Sequence, residues 1–254
     1  MTRIGGDAVG GARGARAVFV HACILAGLVA GCAAPAPPPA DGATERPADA
    51  ASGRPAEFPD AYYRQAAARG QPVFEVDPAS SLVVIEVRRG GTLAHLGHDH
   101  VVASHDVHGY LAPVDGRADF YLRLDRLVVD ERDLRAEAQF DTQPSDEAIA
   151  ATRANMLEKL GAGAHPLALI AARDVAIDAS GIRMNATLTL NGSTRAINLD
   201  PQIVLVDDDL SVDGRVTLEQ TKFGITPFSI LGGALQVQDV VAVRYRIRAR
   251  RMPL

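Results

Sequence analysis

Five of the seven histidines in this chain fall within one short segment, between His95 and His108. Neutral imidazole is the commonest metal ligand in proteins. In an extended segment His98 and His100 project to the same face, so both can reach one ion. His95, His98 and His100 are therefore candidate ligands for zinc or copper, and a neighbouring aspartate can complete the site or orient a ring.

The same segment has other interpretations. Gly91 and Gly97 mark a loop or a strand edge, where histidine serves as a polar and partly buried group. Histidines placed there hydrogen-bond backbone carbonyls or hold a ligand's polar end without any metal. Contact with a haem is a further alternative. Spacing does not choose among these, because it does not fix the geometry of a site.

Other chemistry has little support in the sequence. There is no G-x-S-x-G nucleophile segment. Phosphate-binding glycine loops and paired-cysteine metal motifs are also missing from the sequence. We therefore predict a binding protein with no catalytic residues.

Cys32 is the second residue whose surroundings indicate chemistry. Three arginines precede an apolar stretch over residues 17–30, which runs into Val29-Ala30-Gly31-Cys32. About 14 apolar residues are fewer than the roughly 20 that a membrane-spanning helix needs, and the arrangement is typical of a secretory signal. Its end resembles a bacterial lipobox, which implies cleavage before Cys32 and a lipid on its sulfur. The alternative is an ordinary signal peptide with an incidental cysteine.

This interpretation divides the chain into three parts. Residues 1–31 are a lipoprotein signal peptide, and residues 32–70 are the lipidated cysteine with a flexible, Pro/Ala-rich tether. Residues 71–254 are one folded domain. A short helix over residues 58–69 belongs either to the tether or to the domain. We expect the protein in the bacterial cell envelope, facing the periplasm, and alanine at position 33 favours the outer membrane.

Net charge restricts the partners. Removal of residues 1–31 takes away three arginines and one aspartate, which changes the formal net charge from −5 to −7. A nucleic-acid partner is not expected, because phosphate binding needs a basic face. We expect membrane contact through the Cys32 anchor alone, and a homodimer is compatible with the sequence.

From Phe74 onward the hydrophobic pattern has a period of two. In the last strand, apolar residues from Val241 to Ala249 alternate with four arginines. This pattern predicts one apolar face and one solvent-exposed face. Asn191-Gly192 predicts a hairpin turn. A run over Leu134–Phe140 is predicted as a further strand.

One helix is predicted, over residues 145–160, with Ser145 as its N-cap. The remaining pattern contains no alternation of strands and helices, so we predict an all-β, antiparallel domain. A barrel of about eight strands is favoured over a sandwich, because closure buries the apolar face of every strand and removes both edges.

Four segments, in this order, resemble the YceI-like family of bacterial secreted proteins: 74–81 (FEVDPASS), 164–170 (AHPLALI), 186–195 (ATLTLNGSTR) and 220–225 (QTKFGI). The resemblance covers roughly residues 73–250. It implies a lipocalin-like antiparallel β-barrel that binds a long polyisoprenoid chain in its interior.

The leading hypothesis is an envelope-anchored lipoprotein that binds an isoprenoid-like or other amphiphilic lipid inside the barrel. Apolar inward-facing residues would line the ligand: Phe120, Leu122, Leu188, Leu190, Phe223, Val243, Tyr245 and Ile247. The alternative is a metal-binding or stress-related envelope protein that uses the histidine segment, with the barrel as scaffold. A third hypothesis is a barrel with a solid core that acts as an interaction module.

Overall fold

Antiparallel strands dominate the structure, a computed structural model that describes residues 53–178 and 181–253. Those residues form fifteen strands, twelve in a large sheet and three in a small one. The predicted all-β class is therefore confirmed. The strands are β1 (Phe74–Val76), β2 (Leu82–Val87), β3 (Arg89–Gly90), β4 (His100–Ser104), β5 (Val107–Ala112), β6 (Arg117–Arg123), β7 (Val128–Val129), β8 (Leu167–Asp178), β9 (Gly181–Leu190), β10 (Ser193–Ile197), β11 (Gln202–Val206), β12 (Asp209–Glu219), β13 (Ser229–Ile230), β14 (Leu235–Val237) and β15 (Val240–Arg251).

The last strand, β15, pairs with three other strands of the large sheet. It pairs with β12 along one edge, while β1 and β2 share its other edge. β1 and β2 are thus two halves of one strand, separated by a 3₁₀ turn at Pro78–Ser80. The 3₁₀ turn Leu124–Arg126 separates β6 from β7 in the same way. The predicted count of about eight strands is wrong, because such turns break long runs into shorter strands.

The sheet curls around an interior without closing into a barrel. In the large sheet, β10 pairs only with β9, β11 only with β12, and the two-residue strand β7 only with β4, so the sheet has free edges. The edge of β10 lies against residues 220–223 instead of a further strand. There Arg195 Nε donates to the Lys222 carbonyl at 2.9 Å, and Asn191 Nδ2 donates to the Phe223 carbonyl at 3.2 Å. The predicted closed barrel is corrected accordingly.

Three α-helices are present in the described residues: α1 (Asp60–Ala68), α2 (Arg132–Glu137) and α3 (Asp146–Lys159). Helix α3 confirms the predicted helix, and the Ser145 hydroxyl caps it by accepting from the Ala148 N–H at 3.2 Å. Helix α2 contradicts the predicted strand over Leu134–Phe140. A short apolar run cannot distinguish the two periods, and Leu134 and Ala138 pack as one helical face against β2 and β4.

Helix α1 packs on the outside of the large sheet. Tyr63 is fully buried there, and its hydroxyl donates to Asp119 Oδ2 at 2.7 Å. Its ring stacks on Tyr110, with the ring centroids 5.0 Å apart. The helix that the sequence assigned either to the tether or to the domain therefore packs on the domain.

No helix in residues 53–178 and 181–253 has the length and hydrophobicity needed to cross a bilayer. Cys32, the predicted signal peptide and most of the predicted tether lie outside the described residues.

Candidate ligand-binding cavity

A cavity of about 420 Å³ lies inside the curled sheet. This volume falls in the range of roughly 300–1000 Å³ that is usual for small-molecule sites. Two clusters of buried side chains surround it, one around Val107 and Ile247 and the other around Leu122 and Phe223. Aliphatic and aromatic side chains supply most of the wall, so the cavity suits an apolar ligand.

All eight side chains that the sequence predicted as ligand-lining lie on the wall of this cavity. The strand period explains the agreement for the seven that lie on strands, since residues of one parity face the interior of a curled sheet. Phe223 lies instead in the 3₁₀ turn Gln220–Phe223. Leu188 and Leu190 on β9 illustrate it, with Thr189 between them on the outer face, where it hydrogen-bonds Thr194. Whether these residues contact a ligand stays a prediction.

Apart from Phe223, the sequence reasoning missed the part of the wall that does not come from strands. Helix α3 covers one end of the cavity with Met156 and Leu160, which are one helical turn apart. That spacing was visible in the sequence as the apolar face of the helix. Ile225 and Phe228 come from the segment after β12, and nothing in the local pattern indicates that they face inward.

Six wall residues carry polar groups, and five of them gather at one end of the cavity, here called the polar end. His100 begins β4 there and pairs with Val87 at the end of β2. Gln220 follows the end of β12, which pairs with the start of β15 at the same end. The other three lie on helix α3: Thr152, Asn155 and Lys159.

Helix α3 is fixed over the polar end by hydrogen bonds. Arg153 Nε donates to the Leu127 carbonyl at 3.1 Å, and a second guanidinium nitrogen donates to the Asp125 carbonyl. These carbonyls lie where β6 gives way to β7, and β7 pairs with β4. The helix, β4 and the end of β6 therefore meet at one end of the sheet.

Tyr245 is the sixth polar wall residue and lies away from the polar end, opposite Gly214 on β12. Its hydroxyl oxygen is buried and has no hydrogen-bond partner among the described residues. Burial raises the pKa of this phenol to about 12, with a smaller contribution from Asp200 and Asp213. A Cβ at position 214 would lie 2.3 Å from the hydroxyl, so glycine is what allows the ring to lie flat against β12.

His100 belongs to a buried network at the polar end. Its Nδ1 lies 2.6 Å from Asp130 Oδ2, and the Asp130 side chain is 0 % exposed. The other carboxylate oxygen accepts from the Val101 N–H at 3.1 Å and from the Arg135 guanidinium. Burial opposes ionisation of Asp130, but these hydrogen bonds outweigh it and hold the pKa of the carboxyl below its usual range.

The other four histidines of the segment have separate surroundings. His105 pairs with Glu131 at 2.9 Å, and His108 pairs with Asp106 at 2.8 Å. His95 is exposed. The His98 and His100 rings are 6.2 Å apart in an edge-to-face arrangement, and His98 Nδ1 is buried without a described partner.

No group of three or more His, Cys, Asp or Glu side chains within residues 53–178 and 181–253 is arranged to hold a metal ion. The predicted zinc or copper ligands His95, His98 and His100 do not form such a group, and metal binding by them stays a prediction. Local spacing placed His98 and His100 on one face, but the partner of His100 lies thirty residues away along the chain.

The fold and the cavity define a class of protein: an antiparallel sheet curled around an apolar ligand space, with no helix through its interior among the described residues. A family model described as the YceI-like domain matches residues 74–249. The chain belongs to this family.

Among solved structures, one match is a polyisoprenoid binding domain from Saccharophagus degradans implicated in plant cell wall breakdown. It is 12 % identical, with a TM-score of 0.50, and the match covers 70 % of this chain and 98 % of that one. Burkholderia cenocepacia BcnA is 14 % identical over 68 % of this chain and 98 % of its own, with a TM-score of 0.48. The YCEI protein of Campylobacter jejuni is 15 % identical over 58 % of this chain and 82 % of its own, with a TM-score of 0.39. No curated protein matched.

Proposed function

We propose that this protein binds an amphiphilic lipid with a long, isoprenoid-like chain in its cavity. The observation that carries the proposal is the distribution of the wall residues. Five of six polar wall residues lie at one end, and the rest of the wall is apolar apart from Tyr245. Such a space fits a ligand with one polar end and one apolar tail.

The tail would lie between β8, β9 and β12, against Ala172, Met184 and Val212, which line the cavity away from the polar end. Each buried CH₂ group contributes roughly 0.8 kcal/mol to binding. A tail of a few isoprene units can therefore supply most of the affinity without any specific polar contact.

The comparisons support this proposal in one respect. The domain from Saccharophagus degradans is described as polyisoprenoid binding, and nearly its whole length aligns with this chain. At 12 % identity this likeness concerns the fold, so the ligand assigned to the present chain is our inference from its cavity wall.

Native mass spectrometry of the protein purified from its own envelope tests the proposal. We expect a bound lipid that is released at higher collision energy. Ala172→Phe should fill the cavity and remove that lipid, because Ala172 lies on the wall. Ala196→Phe is the matched control, since Ala196 is exposed on β10 and the same substitution there leaves the cavity unchanged. Retention of the lipid by Ala172→Phe, or no lipid in the unmodified protein, would contradict the proposal.

The proposal includes the location in the bacterial cell envelope that the sequence predicts. A lipid on Cys32 would hold the domain near a bilayer, from which an isoprenoid-like chain can be taken up. Metal binding by the histidine segment is not proposed here, because no three His, Cys, Asp or Glu side chains in residues 53–178 and 181–253 are arranged to hold an ion. The homodimer stays a prediction, which light scattering of the purified protein would check.

A further inference from the structure

His100 is a largely buried polar group at the polar end of the cavity. Its side chain is 14 % exposed and lies on the cavity wall. Nδ1 bonds Asp130, whereas Nε2 has no hydrogen-bond partner among residues 53–178 and 181–253. One ring nitrogen is therefore held by the protein, and the other is available to a ligand.

The carboxylate decides which nitrogen carries the proton. Asp130 accepts hydrogen bonds from the Val101 N–H and from the buried guanidinium of Arg135, so it is ionised and can only accept. The Nδ1 that lies 2.6 Å from it must then be the donor. In a neutral imidazole with the proton on Nδ1, Nε2 is an acceptor.

We propose that His100 Nε2 accepts a hydrogen bond from a hydroxyl group of the bound lipid, and that the protein thereby selects an isoprenoid alcohol or phenol. This inference rests on the proposed function and names the polar end of its ligand. An ether or a hydrocarbon of the same length has no hydrogen to donate and would leave Nε2 unpaired on a ring that is only 14 % exposed, which carries a free-energy cost.

An anionic headgroup is the competing chemistry, because Lys159 also lies on the wall of the polar end. The Lys159 side chain is 40 % exposed, and its ammonium lies 3.5 Å from Glu158 Oε1. A half-exposed cation with a nearby carboxylate contributes little to binding an anion. The enclosed acceptor on His100 is therefore the stronger selector.

A competition experiment by native mass spectrometry tests this inference with three probes of equal chain length. Delipidated protein is mixed with geranylgeraniol, its methyl ether and its monophosphate ester in equal amounts. We expect about tenfold more complex with the alcohol than with the ether, which corresponds to the usual cost of one enclosed unpaired acceptor. The alcohol should also exceed the phosphate.

Two variants connect that preference to His100. His100→Phe keeps an aromatic ring but has no acceptor, and should lose the preference for the alcohol over the ether. His108→Phe is the matched control and should keep the preference, because His108 is bonded to Asp106 and does not line the cavity. If His100→Phe does not fold, the competition on the unmodified protein still decides.

The possible results distinguish failure of this inference from failure of the proposed function. Equal binding of alcohol and ether by the unmodified protein overturns the inference and leaves the proposed function intact. Preference for the phosphate also overturns it and assigns the headgroup to a cation at the polar end. If none of the three probes binds, the proposed function itself has failed.

Discussion

At the scale of single residues, the polar end of the cavity depends on buried charges that compensate one another. Asp130 and Arg135 are 0 % and 4 % exposed, and Arg135 also donates to the carbonyls of Asp99 and Thr142. Ionised groups are retained in a protein interior when each is paired and hydrogen-bonded. The network therefore fixes the orientation of His100 as well as the loop that carries Asp130.

Arg135→Met should destabilise the domain by about 3–5 kcal/mol, because it leaves the buried Asp130 carboxylate without its cation. Urea unfolding followed by circular dichroism measures the change. Arg244→Met is the control. Arg244 pairs with the half-exposed Glu137 at 2.7 Å, and such surface pairs contribute about 1 kcal/mol or less. Equal losses in the two variants would contradict the assignment of a buried network.

The buried hydroxyls of Tyr245 and Tyr63 allow a second comparison. Tyr245→Phe should leave stability unchanged or raise it, because the buried hydroxyl of Tyr245 has no described partner. Tyr63→Phe should cost roughly 1.5–3 kcal/mol, because it removes a hydrogen bond to the Asp119 carboxylate. Thermal unfolding of both variants checks this, and a large loss in Tyr245→Phe would show a partner for that hydroxyl.

At the scale of secondary structure, the sequence predicted an element correctly where the backbone conformation requires a particular residue type. The hairpin between β9 and β10 turns at Asn191 and Gly192, with φ angles of 49° and 70°. Both residues tolerate positive φ, so the dipeptide predicted the turn directly. The run over Leu134–Phe140, whose first four residues lie in helix α2, carried no such signal, and the sequence reasoning misassigned it as a strand.

Helix α3 depends on its cap and covers the polar end. Ser145→Ala should destabilise the helix by about 1 kcal/mol, because the Ala148 N–H loses its acceptor. Hydrogen exchange of the amides of α3 measures the local effect. Ser145→Asp should restore protection, since aspartate caps a helix equally well. Faster exchange in both variants would mean that the cap is not what holds this end of the helix.

At the scale of the whole molecule, the predicted anchor and the described domain are separate parts of one chain. Cys32→Ser removes the sulfur that a lipid would need. If the lipobox prediction is right, this variant moves from the membrane fraction to the soluble fraction of the envelope, and the mass of the mature N-terminus loses its acyl groups. Fractionation with mass spectrometry measures both, and an unchanged membrane association would contradict the prediction.

Seven of the eight lining residues and the all-β class could be predicted because both follow from a period of two, which a strand imposes on every residue it contains. The sequence by itself also determined the hairpin at Asn191-Gly192 and the N-cap at Ser145, where a single residue type satisfies the backbone. Each of these features depends on neighbours along the chain.

Only the tertiary structure decided that the sheet stays open between β10 and β11, that α1 packs on the domain, and that His100 pairs with Asp130. Each depends on contacts between residues far apart in the chain. Tyr63 bonds Asp119 across 56 positions, and Arg195 bonds the Lys222 carbonyl across 27. The physical reason is that periodicity fixes which face a side chain occupies, whereas its partner is fixed by how distant segments pack.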